Sequence, residues 1–247
     1  MRWLFFVLSI PVFVLAQEKG LLEPLQVVDL PTAGTLMRGS FRTELDVYPE
    51  GGILAGISAG ISDRFMFGLS YGGTNIIGTG KINWNKQVGA QVRYRLFEED
   101  YYLPAILIGY TSQGRGAYID STKRYVNKSM GVYAVASKSF IFLGTLNLHG
   151  GINYSFENDD GDKDPNLFIG VQKSLNPELF VSAEYDFAIN DGGSGALGEG
   201  KGYLNAALKW QFSGKLELTF ILKDILKNRK YIDGMTREIR IAYSEIF

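Results

Sequence analysis

The sequence predicts an all-β fold, a closed antiparallel up-and-down transmembrane β-barrel of about 12 strands, and three observations carry that prediction. Residues Arg237 to Phe247 alternate apolar and polar side chains and end on phenylalanine. An apolar N-terminal leader precedes a chain with no later apolar run long enough to span a membrane as a helix. The loops alternate short and long, as they do when one end of a barrel carries tight turns and the other carries excursions.

Extended runs are read at 36–48, 52–61, 64–72, 86–97, 101–111, 129–138, 142–156, 166–174, 178–188, 202–212, 215–224 and 236–247. Each approaches the roughly 9–11 residues that a tilted membrane strand needs. The short connections are Ser62-Asp63, Glu98-Glu99-Asp100, Ser139-Phe140-Ile141, Leu175-Asn176-Pro177 and Ser213-Gly214, and they belong on the periplasmic side. The opposite set spans 73–85, 112–128, 157–165, 189–201 and 225–235, rich in Gly, Asp, Asn and Lys; Pro49-Glu50-Gly51 is the one brief member. A soluble β-sandwich has no reason to sort its loops this way.

Successive side chains on a strand point to opposite faces, so alternation assigns each residue a side. Phe67, Leu69, Tyr71, Val92, Tyr94, Val181, Tyr185, Leu208, Trp210, Leu218 and Phe220 are expected toward lipid. The lumen is expected to receive Arg38, Arg42, Glu44, Asp46, Arg93, Arg95, Glu184, Asp186, Lys209, Glu217, Glu238 and Arg240. Both signs then line one wall, either as a network that fills the barrel or as a charged constriction, and the pairing of opposite charges favours the network. Around Ile106 and Val135 both faces are small or apolar, and alternation assigns neither. Pro104 lacks a ladder donor and belongs near a membrane edge or bulge. Tyr94, Tyr101, Tyr102, Phe142, Trp210, Phe212 and Tyr243 fall where strands meet headgroups, the preferred depth of amphipathic rings.

Residues 1–16 read as a secretory signal, with a basic residue, an apolar stretch and small residues before Gln17. Residues 17–34 form a periplasmic or plug segment, too short for a domain of its own, and 35–247 form the barrel. With no cysteine there is no disulfide framework and no thiolate metal site. A formal charge of −1 gives no broad field for nucleic acid, so no nucleic-acid partner is expected.

Motifs that could carry chemistry are few. His149, the only histidine, shares its face with Asn147, Asn153 and Ser155, and is followed by Gly150-Gly151 without a nearby serine nucleophile. A polar lumen residue is the better account, so no catalytic residue is assigned and an enzyme is not expected. The alternatives are a lipid-modifying barrel enzyme using His149 and a secreted carbohydrate-binding β-sandwich. The alternating carboxylates of 159–164 could wrap a hard cation, but lack the remaining elements of an EF-hand loop, and a solvated acidic loop is preferred. Gly195, Gly198, Gly200 and Gly202 lead into a strand, not a helix, so they form no phosphate cradle. No metal and no cofactor are expected.

The strings Asp29-Leu30-Pro31-Thr32-Ala33-Gly34-Thr35, Gly60-Ile61-Ser62-Asp63-Arg64-Phe65, Ser70-Tyr71-Gly72-Gly73 and Gly78-Thr79-Gly80-Lys81, with the closing Ile239 to Phe247, resemble bacterial outer-membrane β-barrel proteins. More loosely, they resemble the YjbH-like group linked to exopolysaccharide production. That resemblance implies an outer membrane of the Gram-negative type, an insertion signal at Ile239, Ile241, Tyr243 and Phe247, and outer-membrane lipid and the barrel-insertion machinery as partners. Glu245 stands where that signal carries an apolar or aromatic residue. Envelope polysaccharide is a further implied partner, and a monomer is expected. The functional expectation is a narrow charged lumen serving passive transport, polysaccharide export or a structural role, with 73–85 and 112–128 as external gates or contact loops.

Overall fold

The computed structural model describes residues 23–193, 195–212, 214–230 and 234–247. The leader at 1–16 and the first part of the 17–34 segment lie outside the described residues.

Twelve antiparallel strands close into a barrel. They are β1 (Ser40–Tyr48), β2 (Gly52–Ser62), β3 (Phe65–Thr74), β5 (Gly89–Phe97), β6 (Ala105–Thr111), β9 (Gly131–Ile141), β10 (Thr145–Tyr154), β11 (Asn166–Ser174), β12 (Leu179–Asp186), β13 (Tyr203–Phe212), β14 (Leu216–Lys223) and β15 (Thr236–Ile246). Each pairs with its sequence neighbour in the barrel, and closure comes from β1 against β15, which runs from Ser40 opposite Ile246 to Val47 opposite Ile239. The edge that a β-sandwich would leave open is therefore consumed. Two short additions lie in the long loops: β4 (Asn83–Trp84) pairs with the end of β3, and β7 (Arg115–Ile119) pairs with β8 (Arg124–Asn127) in a separate hairpin.

The alternation read from sequence is the alternation of the barrel. Phe67, Leu69, Tyr71, Tyr94, Leu208, Trp210, Phe220, Ile239 and Ile241 are exposed on the outside, where an apolar belt satisfies a bilayer. Aromatic residues gather toward both rims. Trp210 lies tilted against Phe212 at the short-turn end, and Tyr71 stacks on Trp84 at the long-loop end. On the closing strand Ile239, Ile241 and Tyr243 face outward, and Phe247 stacks on Phe41 at 5.1 Å across the closing seam. Glu245 reaches Lys215 Nζ at 2.6 Å in the short-turn rim, which answers the departure of a carboxylate from the expected insertion signal.

Several boundaries move from the sequence expectation, and one moves a short connection: β9 runs on to Ile141, so Ser139-Phe140-Ile141 lies in the strand and the turn falls at Phe142-Leu143-Gly144, where Leu143 and Gly144 take φ 47° and 101°. The first strand begins at Ser40, because Gly39 turns the chain with φ 75°. The run expected from 101 begins at Ala105: the Asp100 carboxylate accepts from the Tyr102 and Leu103 N–H groups at 2.8 and 2.7 Å, making a turn that Pro104 ends. The 112–128 loop holds the β7–β8 hairpin, whose few local pairs carry too little alternation to be read from sequence.

Candidate functional site in the barrel lumen

The lumen is occupied by the chain itself. Residues 23–37 rise from the short-turn end as a hairpin, turn at Val28–Leu30 and descend again. Val27 N–H donates to Leu30 O at 2.9 Å, Thr32 N–H donates to Leu25 O at 3.2 Å, and Gln26 bridges to Pro31. Gly34 lets the two arms approach, since a Cβ there would lie 2.3 Å from Pro24 O. At the base, Thr35 Oγ1 donates to Asp63 O at 3.0 Å, fixing the descending arm to a short turn.

Apolar plug residues meet apolar lumen residues mainly across β6, β9 and β11, with a smaller contact on β13 and β14. Leu30 and Ala33 pack with Ala105, Leu107, Tyr133, Val135 and Phe168, while Val27 and Val28 pack with Ala207 and Ile221. These contacts settle the strands that alternation left open: Leu107 and Val135 point inward, and Ile108 and Val132 point out. Gly170 makes room as well, because a Cβ there would come within 2.7 Å of Val27 Cγ2.

On the other side the plug meets charge. The tip presents three successive N–H groups, of Val28, Asp29 and Leu30, to the Glu184 carboxylate at 2.9, 3.0 and 2.9 Å. Consecutive backbone donors of this kind make an anion-binding concavity. Asn205 Nδ2 completes it at 2.8 Å. Asp29 pairs with Lys223 at 2.6 Å and Arg240 at 3.2 Å, and Arg240 also donates to Val28 O at 2.6 Å. Lumen side chains take several of the plug's carbonyls: Arg93 donates to Leu25 O at 2.6 Å, Arg95 to Ala33 O at 3.0 Å, Gln172 to Gln26 O at 3.1 Å, and Ser182 to Val27 O at 3.2 Å. A buried backbone without strand partners needs such substitutes.

Most residues expected in the lumen are brought together there. Arg42 pairs with Glu217 at 2.9 Å, Lys209 reaches Glu217 at 3.5 Å, and Glu44 lies 3.4 Å from both Arg42 and Arg240. Asp46, opposite Arg240 across the closing seam, takes both Arg240 and Arg115. Glu238 holds Lys223 at 2.6 Å, Asp186 accepts from Asn166 at 2.7 Å, and Arg95 joins Glu98 and Glu23. Arg38 stands apart, exposed at the rim before β1. Sequence reasoning placed Asn205 in the lumen but missed Asp29, Arg115 and the plug carbonyls. Arg115 carried a faint signal as a basic residue in a long loop, but nothing local says that the loop folds inward.

From the long-loop end, β7 sends Arg115 down to the plug, where it lies 3.5 Å from Asp29 and donates to Gln26 Oε1 at 3.0 Å. A cavity of about 120 Å³ remains between this hairpin and the plug, bordered by Arg93, Gln91, Gln113, Ser70 and Tyr133. Above it the long loops are cross-linked. Arg124, 0% exposed, pairs with Asp160 at 2.6 Å and with Asp191, and Lys128 pairs with Asp160 at 2.7 Å. Burial pushes the Asp191 carboxyl up, but the Arg124 guanidinium and the Tyr203 hydroxyl outweigh it and hold the group below its ordinary range. The acidic loop read as a possible cation site is thus engaged internally, since Asp162 also accepts from Gly192 and Gly193 N–H at 2.8 and 3.0 Å.

His149 faces the lumen and is buried. Its Nδ1 lies 2.7 Å from Ser137 Oγ, which accepts the Ala33 N–H at 2.8 Å. The structure thus supplies a serine partner that the local sequence lacked, but sets it beneath the plug and away from the lipid face.

A chain-closed ring of twelve strands with an apolar exterior has counterparts among solved proteins. The KdgM porin superposes with a TM-score of 0.52 at 10% identity, covering 84% of this chain and 99% of that one. The KdgM porin in complex with disordered oligogalacturonate gives 0.50 at 10% identity, with the same 84% and 99% coverage. The chain has a porin-type barrel fold. No protein-family model matches the sequence, and no curated protein matches it. Neither solved relative connects the chain to the YjbH-like group.

Proposed function

We propose that this protein is an outer-membrane channel held shut by its own N-terminal hairpin, passing polar solutes passively when the hairpin leaves the lumen. The observation that carries this reading is how the plug is held. Its backbone is bound by lumen side chains, Glu184, Arg93, Arg95, Gln172, Ser182 and Arg240, through hydrogen bonds that water can replace. Both arms also end at the short-turn side, so withdrawal in that direction threads no loop. The apolar belt and the likeness to a porin support the outer membrane as its place. Outer-membrane lipid and the insertion machinery, read from the closing strand, are the partners proposed with it, and the monomer is the proposed state. His149 lies under the plug, which supports passage over lipid chemistry.

Saccharide is the proposed solute class. The resemblance to exopolysaccharide-linked barrels supports it, as does the porin relative solved with oligogalacturonate. Export of a polysaccharide would use the same opening.

Planar-bilayer conductance tests the reading. The mature chain is expected to be silent, and a chain lacking residues 23–36 is expected to carry current, with folding of both checked by heat-modifiable gel mobility. Silence of a folded, plug-deleted barrel would end the channel reading in favour of a structural role. Equal current from both chains would remove the plug as the closing element.

A further inference from the structure

Two buried arginines of this molecule are treated differently. Arg124 has two carboxylates, and its remaining donors reach Tyr125 O and Val126 O, both at 3.0 Å. Arg93, only 5% exposed, has no carboxylate among the described residues. Its Nη1 donates to Leu25 O and Gly34 O, and its Nε has no partner among the described residues. Carbonyl dipoles soften a desolvated cation but do not neutralise it. The acids across the lumen are already engaged, Glu44, Asp46 and Asp29 by cations and Glu184 by the plug tip.

Arg93 borders the cavity below the β7–β8 hairpin together with neutral hydrogen-bonding groups, and the lining also includes Asp29, Glu44, Asp46, Glu184 and Asp186 with Arg42, Arg115 and Lys128. Gln91 Nε2 donates to Ser58 Oγ at 2.6 Å, and Ser70 Oγ donates to Gln113 Oε1 at 3.4 Å. The Tyr133 ring lies across Gly109, where a Cβ would stand 2.4 Å from ring Cζ, so a side chain at 109 would displace it from the cavity wall. With the lining acids engaged, Asp186 by Asn166 at 2.7 Å, the Arg93 cation, the amides, the hydroxyls and the phenol are the groups left around about 120 Å³ for one anionic oxygen group and its hydroxylated carrier. With the plug in place an extended chain has no room.

We propose that this cavity binds a single small oxyanion, a carboxylate or a phosphate on a hydroxyl-rich solute, with Arg93 as its counter-charge. The site deepens the passage reading, on which its use as a solute-selecting step rests, but the binding itself does not require conduction. Isothermal titration of the full mature chain, refolded in detergent, tests it with D-glucuronate, glucose 6-phosphate and neutral D-glucose. Glucuronate or glucose 6-phosphate, whichever group the site takes, is expected to bind at least tenfold more tightly than glucose, and Arg93→Gln is expected to lose that preference. If Arg93→Gln does not fold, Gln113→Leu and Tyr133→Phe are expected to weaken anion binding at least threefold in barrels with unchanged gel mobility.

Absence of anion binding to the wild type, equal binding by glucose, or undiminished binding in the variants overturns the site. Displacement by chloride at equal concentration overturns the oxyanion class. The conductance experiment answers separately, because a plug-deleted barrel can conduct whether or not this cavity binds.

Discussion

The two walls of the lumen hold the same plug by opposite means. Along β12 to β15 and β1 the inward face carries Glu184, Lys209, Glu217, Lys223, Glu238, Arg240, Arg42, Glu44 and Asp46, bound to one another or to the plug tip. Across β6, β9 and β11 it carries Ala105, Leu107, Tyr133, Val135 and Phe168, packed on Leu30 and Ala33. The apolar wall gains by removing area from water and asks little of geometry. Charges in the other wall repay their desolvation only when each finds a partner at the correct distance. That wall therefore fixes the height and register of the plug, and the apolar wall supplies most of the adhesion, with Ala207 and Ile221 adding a smaller apolar contact to Val27 and Val28.

The sharpest way to break this contrast is Arg240→Met, which removes one cation from Asp29, Asp46 and Glu44 together. Leaving buried carboxylates short of a partner should cost about 3–5 kcal/mol in urea unfolding of the barrel in vesicles. A loss under ~1 kcal/mol would mean that the charged wall is solvated and not a network. On the apolar wall, Leu30→Ala should cost about 2–5 kcal/mol by the same measurement, as a cavity opens against Leu107 and Val135. If Leu30→Ala loosened the register of the tip as much as Arg240→Met, seen as equal exchange at Val28 N–H, the division of labour drawn above would fail.

Glu184→Gln keeps the shape of the tip contact and removes its charge. Three N–H donors then face a neutral acceptor, and a loss of about 1–3 kcal/mol is expected, with faster hydrogen exchange at Val28, Asp29 and Leu30. Unchanged exchange would show that the apolar wall alone holds the tip. The smallest effect belongs to the long loops, outside both walls. The folded Asp191 carboxyl sits below its unfolded value, so its contribution is complete above the unfolded pKa and fades as pH falls through the lowered one. Limited proteolysis of the 187–202 loop should therefore quicken below the ordinary carboxylate range while the barrel stays intact. Cleavage independent of pH would dismiss the Arg124–Asp191 pair as a loop fastening.

Where the two walls differ, so did the legibility of the sequence. Arg42, Glu44, Asp46, Glu184, Glu217 and Arg240 alternate with apolar residues, and period-two reading placed them inside. The strands around Ile106 and Val135 could not be read that way, because the plug makes their inner face apolar as well. His149 and Ser137 likewise met only through strand pairing. Arg38 shares the parity of Arg42, but parity loses its meaning once Gly39 turns the chain.

By itself the sequence determined which side of most strands meets lipid, how many strands close the ring and at which end the loops are long. These are local properties, set by the alternation of side chains along an extended backbone and by the length of chain between turns. Tertiary structure alone decided that residues 23–37 fill the lumen, that Arg115 folds down onto them and that Arg93 has no carboxylate among the described residues. Those outcomes depend on backbone groups of the plug meeting side chains as distant as Glu184 from Val28, 156 positions away. A backbone N–H or carbonyl is the same at every residue but proline, so its partner is fixed by the packing of the whole barrel.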